Sequence, residues 1–516
     1  MSGRAHTKCA KRTQFRHFRR SSRQGRTLRP RHAQIWFVLI VALLLIATSR
    51  AGAALPPPTV TLTPVSNDGH FTSGINSVAI DRNNLVTYGN YQFIAFYDRF
   101  RSLVGPDDQA TVMLGRRLLG TSAWEVFDTN RQPVSISDDH DTVSIAIDGG
   151  GFMHMAWGMH NNPMNYVVSN ARVDLPGTFT STTFTQPSAW PQTAGTTHDT
   201  VTYPEFARIP GSSDLMFLYR EGGTGGGSGN GDQYFVRYSA ANQTWTKNLA
   251  INGQATSVNA YLNNLAYDST GKLHMSWTWR STPAFQTNHN IMYATSSDNG
   301  QTWAKQDGSP FTLPITEGQG GVIANIPQNS TLINQTSMAL DSQDHPLIAT
   351  WYAPLAGSGD NTRQYMLHWY DGASWHASQI TNRPTEPLQN DTTVRELGRP
   401  IVLVDDDDRT LVVMRYKEAG NNIVVAVSED KQSWDFLTLA SADMGVYEPT
   451  YDTALWEREN KLHLFYQQLG TNGNANVSVL EWDAKTYFAA IPEPGGASLL
   501  VAGIMAALLR RKRTRS

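Results

Sequence analysis

One local pattern recurs seven times between residues 60 and 490, and it restricts the possible folds more than any other feature of the chain. In each copy, a turn rich in Asp, Gly or Asn precedes a strand of alternating apolar residues that ends in an aromatic or long apolar side chain. The copies centre on Tyr97, Trp157, Tyr219, Trp277, Trp351, Met414 and Tyr466. Their spacings of 60, 62, 58, 74, 63 and 52 residues leave room in each unit for four short strands and variable loops.

Short alternating strands with almost no amphipathic helical stretch are typical of all-β proteins. Seven units of this kind predict an all-β, seven-bladed β-propeller that spans residues 60–490. A run of β-sandwich domains is the alternative interpretation of the same strands.

The clearest hairpin of the series carries a histidine beyond each of its outer ends. Two alternating runs, Val143–Ile147 and 152–157, are joined by the Gly-rich turn 148–151, which is the pattern of an antiparallel β-hairpin. His140 precedes the first strand and His160 follows the second. Because the turn brings the outer ends together, we expect both imidazoles at one rim of the propeller.

The next two units carry polar side chains at corresponding strand ends. Tyr203 and Arg220 flank one predicted strand pair, and Tyr261 and Arg280 flank the next. The same hairpin geometry predicts that these four side chains share the rim with the two histidines.

One segment of the chain, residues 296–303, fits the pattern S-x-D-x-G-x-T-W. It resembles the Asp-box of the BNR repeat, which is found in sialidases and other carbohydrate-active propellers. The Asp and Ser of such a box can satisfy the backbone of a hairpin, and its Trp can pack between sheets. We therefore assign this segment to folding and not to chemistry.

A wider resemblance comes from a series of polar segments at strand ends. These segments are residues 139–141, 159–163, 202–205, 219–222, 259–261 and 277–280. Together they resemble the BNR-type propeller family that includes ulvan lyases and related uronate-cleaving polysaccharide lyases. The resemblance covers roughly residues 70–480 and is strongest between residues 137 and 303.

The resemblance implies cleavage of an anionic, ulvan-like polysaccharide by β-elimination beside a uronic acid. That reaction needs a cation on the carboxylate, a base for the C5 proton and an acid for the departing O4. Arg220 suits the first role because a guanidinium binds carboxylate bidentately and stays charged. His140, His160 and Tyr203 match the family's catalytic positions, and which is base and which is acid stays open. The expected substrate-binding residues are Tyr261, Trp279, Arg280 and Asn288, with Trp279 stacking on a sugar ring.

Two other functions are compatible with the same sequence. A sialidase-type hydrolase would need an arginine triad, for which Arg220, Arg280 and Arg399 are available. A non-catalytic glycan-binding or matrix propeller would keep aromatic residues for stacking but would not need a base and an acid around one arginine. Three proton-transfer residues on neighbouring units therefore favour the lyase.

Both ends of the chain resemble export signals. Residues 1–54 contain a basic leader, an apolar run at 35–47 and a small-residue segment at 51–54, as in a secretory signal peptide, although an uncleaved anchor is the alternative. Residues 491–516 contain Pro-Glu-Pro, an apolar stretch at 497–509 and a basic tail, and resemble the PEP-CTERM signal read by an exosortase. We therefore expect an exported protein at the cell envelope or outside the cell, initially anchored in the membrane by its C-terminal helix.

Between these basic ends the chain is acidic, with 25 basic and 44 acidic residues, a net charge of −19. This charge argues against nucleic-acid binding, and it requires any basic residues that meet a polyanion to be concentrated at one rim. Cys9, the only cysteine, lies in the leader, so the propeller has no disulfide or thiolate ligand. No cofactor is required, a structural calcium or zinc ion stays open, and we expect a monomer. The run 405–408 is interpreted as a solvated hairpin turn.

Overall fold

The structure is a computed structural model that describes residues 55–71, 73–80, 82–98, 110–184, 199–222, 231–385, 397–470 and 474–491. All of these residues belong to one compact unit. The predicted signal segment before Leu55 and the Pro-Glu-Pro motif with its apolar stretch and basic tail lie outside the described residues.

The described strands form seven antiparallel sheets, each of which is one blade of a propeller. The first blade contains β2 (Leu85–Tyr88), β3 (Tyr91–Tyr97), β4 (Val112–Leu118) and β5 (Glu125–Asp128). The second contains β6 (Val143–Ile147), β7 (Met153–Trp157) and β9 (Tyr166–Val168). The third contains β10 (Val201–Arg208), β11 (Leu215–Glu221), β12 (Asp232–Ser239) and β13 (Thr244–Asn252), with β8 (His160–Asn162) on the inner edge of β10.

The remaining four blades repeat this order. The fourth contains β14 (Asn259–Leu262), β15 (Ala266–Tyr267), β16 (Leu273–Arg280), β17 (Asn288–Ser296) and β18 (Val322–Ala324). The fifth contains β19 (Ser337–Leu340), β20 (Pro346–Tyr352), β21 (Gln364–Tyr370) and β22 (Trp375–Gln379). The sixth contains β23 (Ile401–Val404), β24 (Thr410–Tyr416), β25 (Asn422–Ser428) and β26 (Asp435–Ala440). The seventh contains β27 (Thr450–Tyr451), β28 (Lys461–Leu469), β29 (Ala475–Asp483) and the N-terminal strand β1 (Thr61–Gly69).

The pairing of β1 with β29 closes the ring. Thr61 pairs with Glu481 at one end of this contact and Gly69 pairs with Ala475 at the other. A strand from the beginning of the chain thus completes the last blade, which protects its edge. The predicted all-β, seven-bladed propeller is confirmed, and the seven repeat residues are all buried in the strand that pairs with the innermost strand or strands of their blades.

Helices are few and short in the described part of the chain. The α-helices are α1 (Gly253–Thr256), α2 (Thr453–Glu459) and α3 (Ala484–Ala489). The 3-10 helices are Ser181–Phe184, Phe285–Thr287, Ala356–Ser358 and Lys417–Ala419. Asp452 caps the start of helix α2, because its side chain accepts a hydrogen bond from the backbone N–H of Leu455. Asn460 follows the last residue of the helix in a left-handed conformation.

The predicted localisation needs a correction. The sequence predicts a C-terminal helix that first holds the protein in a membrane, but no helix within the described ranges is both long and apolar enough to cross one. The longest, α2, has 7 residues, whereas a membrane span needs about 20. The stretch 497–509 itself lies outside the described residues.

The Asp-box is a turn after β17, as the sequence predicts. The Asp298 carboxylate accepts hydrogen bonds from the backbone N–H groups of Gln301 and Thr302, and the Ser296 hydroxyl accepts one from Gly300. Trp303 is buried, and its ring centroid lies 5.1 Å from that of Phe235 in the preceding blade. The segment therefore stabilises a hairpin and a contact between two blades.

An ion pair links the inner parts of several blades around the central channel. Arg82 contacts Glu205 at 2.8 Å, and the two side chains are only 12% and 11% exposed. The same guanidinium donates to the carbonyl oxygens of Leu262 and Thr336, so it joins four blades. Segments that precede the inner strands line one cavity of the channel, and the ends of those strands line another. The channel therefore has two separate cavities, one on each face.

Replacing Arg82 with methionine is expected to lower the free energy of unfolding by about 3 kcal/mol, because Glu205 would keep its charge without a partner in a largely buried site. The matched control is Arg172→Met, which removes the 2.7 Å pair with Asp174 where the arginine is 48% exposed. That exposed pair is screened by solvent and should contribute far less to stability. Urea denaturation of both variants measures the difference, and equal losses would contradict the role of Arg82.

Candidate functional site

The two histidines predicted at one rim lie against each other. Val143 pairs with Trp157 at the open end of the β6–β7 hairpin, which brings the segment before β6 next to the segment after β7. The imidazole rings of His140 and His160 are stacked with centroids 4.2 Å apart and an interplanar angle of 26°. The hairpin geometry therefore places the pair as the sequence predicts.

A third residue, Asp138, holds both imidazoles. Its Oδ1 atom lies 2.6 Å from Nδ1 of His140, and its Oδ2 atom lies 2.7 Å from Nδ1 of His160. Although burial opposes it, hydrogen bonding from the two histidines lowers the pKa of Asp138 well below its usual value. An ionised carboxylate only accepts hydrogen bonds, so each Nδ1 carries a proton and Nε2 is the ring nitrogen of each imidazole that is left for proton transfer.

Sequence reasoning missed Asp138 as a site residue. The available signal is the acidic run that precedes His140, but that run contains two aspartates and follows a serine, as many turns do. Only the fold shows that one of them reaches a histidine 22 residues away.

His140 and His160 differ in their surroundings. Burial lowers the pKa of His140, against the opposing effect of Asp138, so its ring is neutral at neutral pH. His140 lines the cavity on this face of the channel. The Nε2 atom of His160 is buried and has no hydrogen-bond partner among the described residues. An imidazole nitrogen without a hydrogen-bond partner can take part in proton transfer.

Tyr203 reaches the same place through a bulge in β10. Thr202 pairs with Arg220 and Glu205 pairs with Leu218, so the ladder shifts at Tyr203. The backbone of Tyr203 has a φ of 57°, a left-handed conformation that a bulky residue rarely adopts. Its ring centroid lies 5.7 Å from that of His140. Such strain at a cavity wall is typical of functional positions.

Arg220 lies beneath the ring of Tyr203. Its Cζ atom is 4.9 Å from the centroid of Tyr203 and 5.8 Å from that of Tyr261, and the residue is 1% exposed. Nη1 donates to the hydroxyl of Tyr261 at 3.5 Å, whereas Nε and Nη2 have no partner among the described residues. The vacant Nε–Nη2 edge is the one that binds a carboxylate bidentately.

The phenol of Tyr203 stays protonated at neutral pH. Burial, with a contribution from Tyr261, raises the pKa of Tyr203 to about 12, although Arg220, Arg280 and Arg399 act in the opposite direction. A protonated phenol beside three guanidiniums is a proton donor whose conjugate base is stabilised in place.

The four predicted substrate-binding residues do not all reach the cavity. Tyr261 lies between Arg220 and Arg280, with the Cζ atom of Arg280 5.4 Å from its ring centroid, and Arg280 lines the cavity. Trp279 is 1% exposed and packs with Trp277 in the core. Because strand residues alternate between the two faces of a blade, Trp279 lies on the same face as Trp277 and on the face opposite to Arg280. The expectation that Trp279 stacks on a sugar is therefore corrected.

Asn288 is also placed differently from its predicted role. It is fully buried, and its Nδ2 atom donates to the carbonyl oxygen of Leu332 at 2.7 Å. Its position opposite Arg280 in the β16–β17 ladder puts it near the rim, but the side chain links two blades. Asn288 therefore has a structural role and does not line the cavity.

The cavity has a volume of about 250 Å³, and its lining includes His140, Tyr203, Arg280 and Arg399. Among the described residues, one group of possible metal ligands lies within 4.8 Å, namely Asp138, His140 and His160. The hydrogen bonds from the two imidazoles to the Asp138 carboxylate already explain why these three side chains lie so close together. We therefore interpret the group as proton-transfer machinery.

Comparison with known proteins agrees with this architecture. A family model described as "BNR repeat-containing family member" matches residues 91–383, which is more than half of the chain. No curated protein matches the sequence.

The structure is similar to those of several polysaccharide lyases. It superposes on the crystal structure of the polysaccharide lyase Uly1 with a TM-score of 0.60 and 14% identity, covering 83% of this chain and 99% of that one. A PL25 ulvan lyase gives a TM-score of 0.57 and 12% identity, covering 84% and 100%. The same type of lyase bound to -[GlcA(1-4)Rha3S]- gives 0.57 and 11%, again covering 84% and 100%. At such identities the similarity establishes the fold alone.

Proposed function

Because this chain belongs to the BNR repeat-containing family, we propose that it is a polysaccharide lyase that cleaves an ulvan-like, uronate-containing polysaccharide by β-elimination. One observation carries the proposal: two imidazoles on a shared carboxylate, a tyrosine with a strained backbone and a buried guanidinium with an unpaired edge adjoin one another, and His140 and Tyr203 line one cavity. The lyases that share the fold support it, and one of them binds a uronate-containing oligosaccharide.

In the proposed reaction, Arg220 neutralises the uronate. Its Nε–Nη2 edge has no partner in the described structure, and a buried, unpaired guanidinium is costly unless a ligand satisfies it. A bidentate ion pair withdraws charge from the carboxylate and so acidifies the neighbouring C5–H. Tyr203 covers this edge, so the sugar must displace the phenol ring slightly when it binds.

His140 then acts as the base and Tyr203 as the acid. The Nε2 atom of neutral His140 takes the C5 proton, the C4=C5 double bond forms, and the C4–O4 bond breaks. The departing O4 takes the phenolic proton of Tyr203, and Arg220, 4.9 Å from that ring, stabilises the phenolate. The proton on His140 finally returns to Tyr203, directly or through water. Asp138 positions the imidazole pair throughout.

The pH dependence of kcat/KM follows from these assignments. The base must be neutral, and burial holds the pKa of His140 below its ordinary value of 6.5, so activity should fall only on the acid side of that value. The acid must be protonated, and the pKa of Tyr203 is raised to about 12, so the alkaline limb should be remote. A pH–rate profile on ulvan measures this. Activity that still rises above about pH 8 would contradict the assignment of His140 as the base.

The Asp138→Asn variant tests whether Asp138 acts by positioning the two imidazole rings. The carboxylate raises the pKa of His140, so its loss should move the acid limb of the profile to lower pH. Weaker orientation of both rings should also lower kcat by up to about 10²-fold. Asp174→Asn, at a surface ion pair away from the cavity, is the control. An unchanged acid limb together with full activity would show that Asp138 does not act through the histidines.

A panel of anionic polysaccharides tests the function itself. Purified protein is incubated with ulvan, alginate and glycosaminoglycans, and the ultraviolet absorbance of an unsaturated uronate is followed. We expect a signal with ulvan-like polymers. Silence across the whole panel would count against a lyase.

A sialidase-type hydrolase is the second candidate, and one observation favours it. Arg220, Arg280 and Arg399 all act electrostatically on Tyr203, as an arginine cluster around a nucleophile would. However, Glu205, two residues from Tyr203, is paired with Arg82, and no carboxylate among the described residues hydrogen-bonds the phenol. Release of free sialic acid without ultraviolet absorbance would favour this candidate over the lyase.

A further inference from the structure

We propose a second ligand-binding site in the other cavity of the channel, on the face opposite to His140 and Tyr203. The ligand is a small zwitterion with an apolar body, a class that includes the apolar α-amino acids. Glu457 binds its ammonium group and Arg208 binds its carboxylate. This inference does not depend on the proposed lyase reaction.

The size of this cavity limits the ligand to one small organic molecule. Its volume is about 190 Å³, which corresponds to about six water molecules at roughly 30 Å³ each. The Arg82–Glu205 ion pair belongs to its lining, but these two charges contact each other at 2.8 Å. The ion pair therefore offers no unpaired charge to a ligand, and the charges that select one must come from other residues.

Three blades supply apolar side chains to the lining. Ile147 in β6, Leu265 just before β15 and Ile401 in β23 all line the cavity, and all three are buried. A ligand that is polar throughout would gain nothing from these contacts. An apolar body that lies against them removes further apolar surface from water, which favours binding. The lining therefore suits an amphiphilic molecule.

Glu457 brings an unpaired carboxyl group to the cavity. It lies on helix α2, between β27 and β28, and makes no hydrogen bond or ion pair with any described residue. Although the residue is exposed to the cavity, the protein around it desolvates the carboxyl group and raises its pKa to about 7. Asp452 acts in the same direction and Arg208 in the opposite one. A cationic group beside Glu457 would keep the carboxylate ionised, so this position suits an ammonium group.

Arg208 brings an unpaired guanidinium to the same cavity. It is the last residue of β10, and its Cζ atom lies 5.1 Å from the ring centroid of Tyr88. Contact with an aromatic ring orients a guanidinium without neutralising its charge. Arg208 forms no hydrogen bond or ion pair within the described part of the chain. Its N–H groups are therefore available to the carboxylate of a ligand.

The two unpaired charges are opposite and do not contact each other. Arg208 lowers the pKa of Glu457, so the two groups interact electrostatically, but they form no ion pair. A molecule that lies between them and carries both an ammonium and a carboxylate group satisfies both residues at once. An amine or a carboxylic acid alone satisfies one residue and brings a like charge towards the other. The arrangement therefore selects a zwitterion.

The test compares the binding of related small molecules to the full chain by calorimetry. Leucine carries both charges and an apolar body, isoamylamine lacks the carboxylate, isovalerate lacks the ammonium group, and glycine lacks the apolar body. The variants are Glu457→Gln and Arg208→Gln. Glu459→Gln is the matched control, because Glu459 lies on the same helix but is paired with Arg458 and Lys461 outside the cavity.

We expect leucine to bind at least about tenfold more tightly than isoamylamine, isovalerate or glycine. Glu457→Gln and Arg208→Gln should each weaken leucine binding by about tenfold or more, whereas Glu459→Gln should leave it unchanged.

Three results would overturn the site: no binding of leucine at up to about 10 mM, equal binding of leucine and its single-charge analogues, or unchanged leucine binding in both variants. Thermal melting shows whether the variants are folded, and the comparison of ligands on the original protein decides the matter if one of them is not. No polysaccharide takes part in the measurement, so failure of the lyase reaction would leave this result unaffected.

Discussion

Tyr203→Phe is expected to lower kcat/KM on ulvan by about 10²–10⁴-fold, the range typical of the loss of a general acid. The substitution removes one hydroxyl and keeps the ring that covers Arg220, so polysaccharide binding and the melting temperature should change little. The left-handed backbone of Tyr203 is equally strained in both proteins. The whole effect should therefore appear in the chemical step, as a fall in kcat.

The matched control is Tyr88→Phe, which removes a phenolic hydroxyl from the other cavity of the channel. Its kinetics should equal those of the original protein. If Tyr203→Phe keeps more than about a tenth of the activity, Tyr203 is not the acid, and His160 becomes the candidate.

Arg220→Met has the second large expected effect, a fall in kcat of about 10²–10³-fold, because the developing charge on the uronate would lose its main stabilising group. Its effect on stability should be small or favourable. Arg220 is 1% exposed and has no carboxylate partner among the described residues, so its removal leaves no buried anion unpaired. The variant should therefore lose activity without losing stability.

Arg383→Met provides the contrast. Arg383 is also buried, but it is paired with Glu418 at 2.6 Å, so its loss should destabilise the fold by about 3 kcal/mol and leave the chemistry intact. Thermal melts and ulvan kinetics on both variants give the comparison. Arg220→Met that melts early and keeps its activity would assign Arg220 to the fold alone.

The fold was largely predictable because its signals are local. Each blade repeats a turn and an alternating strand, and the repeat residues occupy the same strand in every blade. The Asp-box needs only its own eight-residue segment to form its hydrogen bonds. The meeting of His140 and His160 follows from one hairpin turn. The alternation of strand faces also places Trp279 with Trp277 in the core, a signal that sequence reasoning did not use.

The rest of the site depends on contacts between distant segments. The bulge that places Tyr203 over Arg220 requires an irregular backbone, and no residue pattern in the sequence predicts it. The link from Asn288 to Leu332 spans 44 residues, and the tie from Arg399 to Asn334 spans 65. Such contacts are set by how neighbouring blades dock, which depends on loop lengths that are variable along this chain. The sequence therefore predicted which residues gather at the rim better than how they are arranged.

Whether the protein cleaves by β-elimination is tested most directly by letting it cleave ulvan in water labelled with heavy oxygen. The measurement is whether the label enters the new chain ends. β-Elimination adds no water, so we expect chain ends that absorb ultraviolet light as unsaturated uronates and contain no label. Hydrolysis would place one labelled oxygen at each new reducing or non-reducing end and give no absorbance. Labelled, saturated ends would contradict the proposed reaction, and so would an intact polymer that the protein binds but never cleaves.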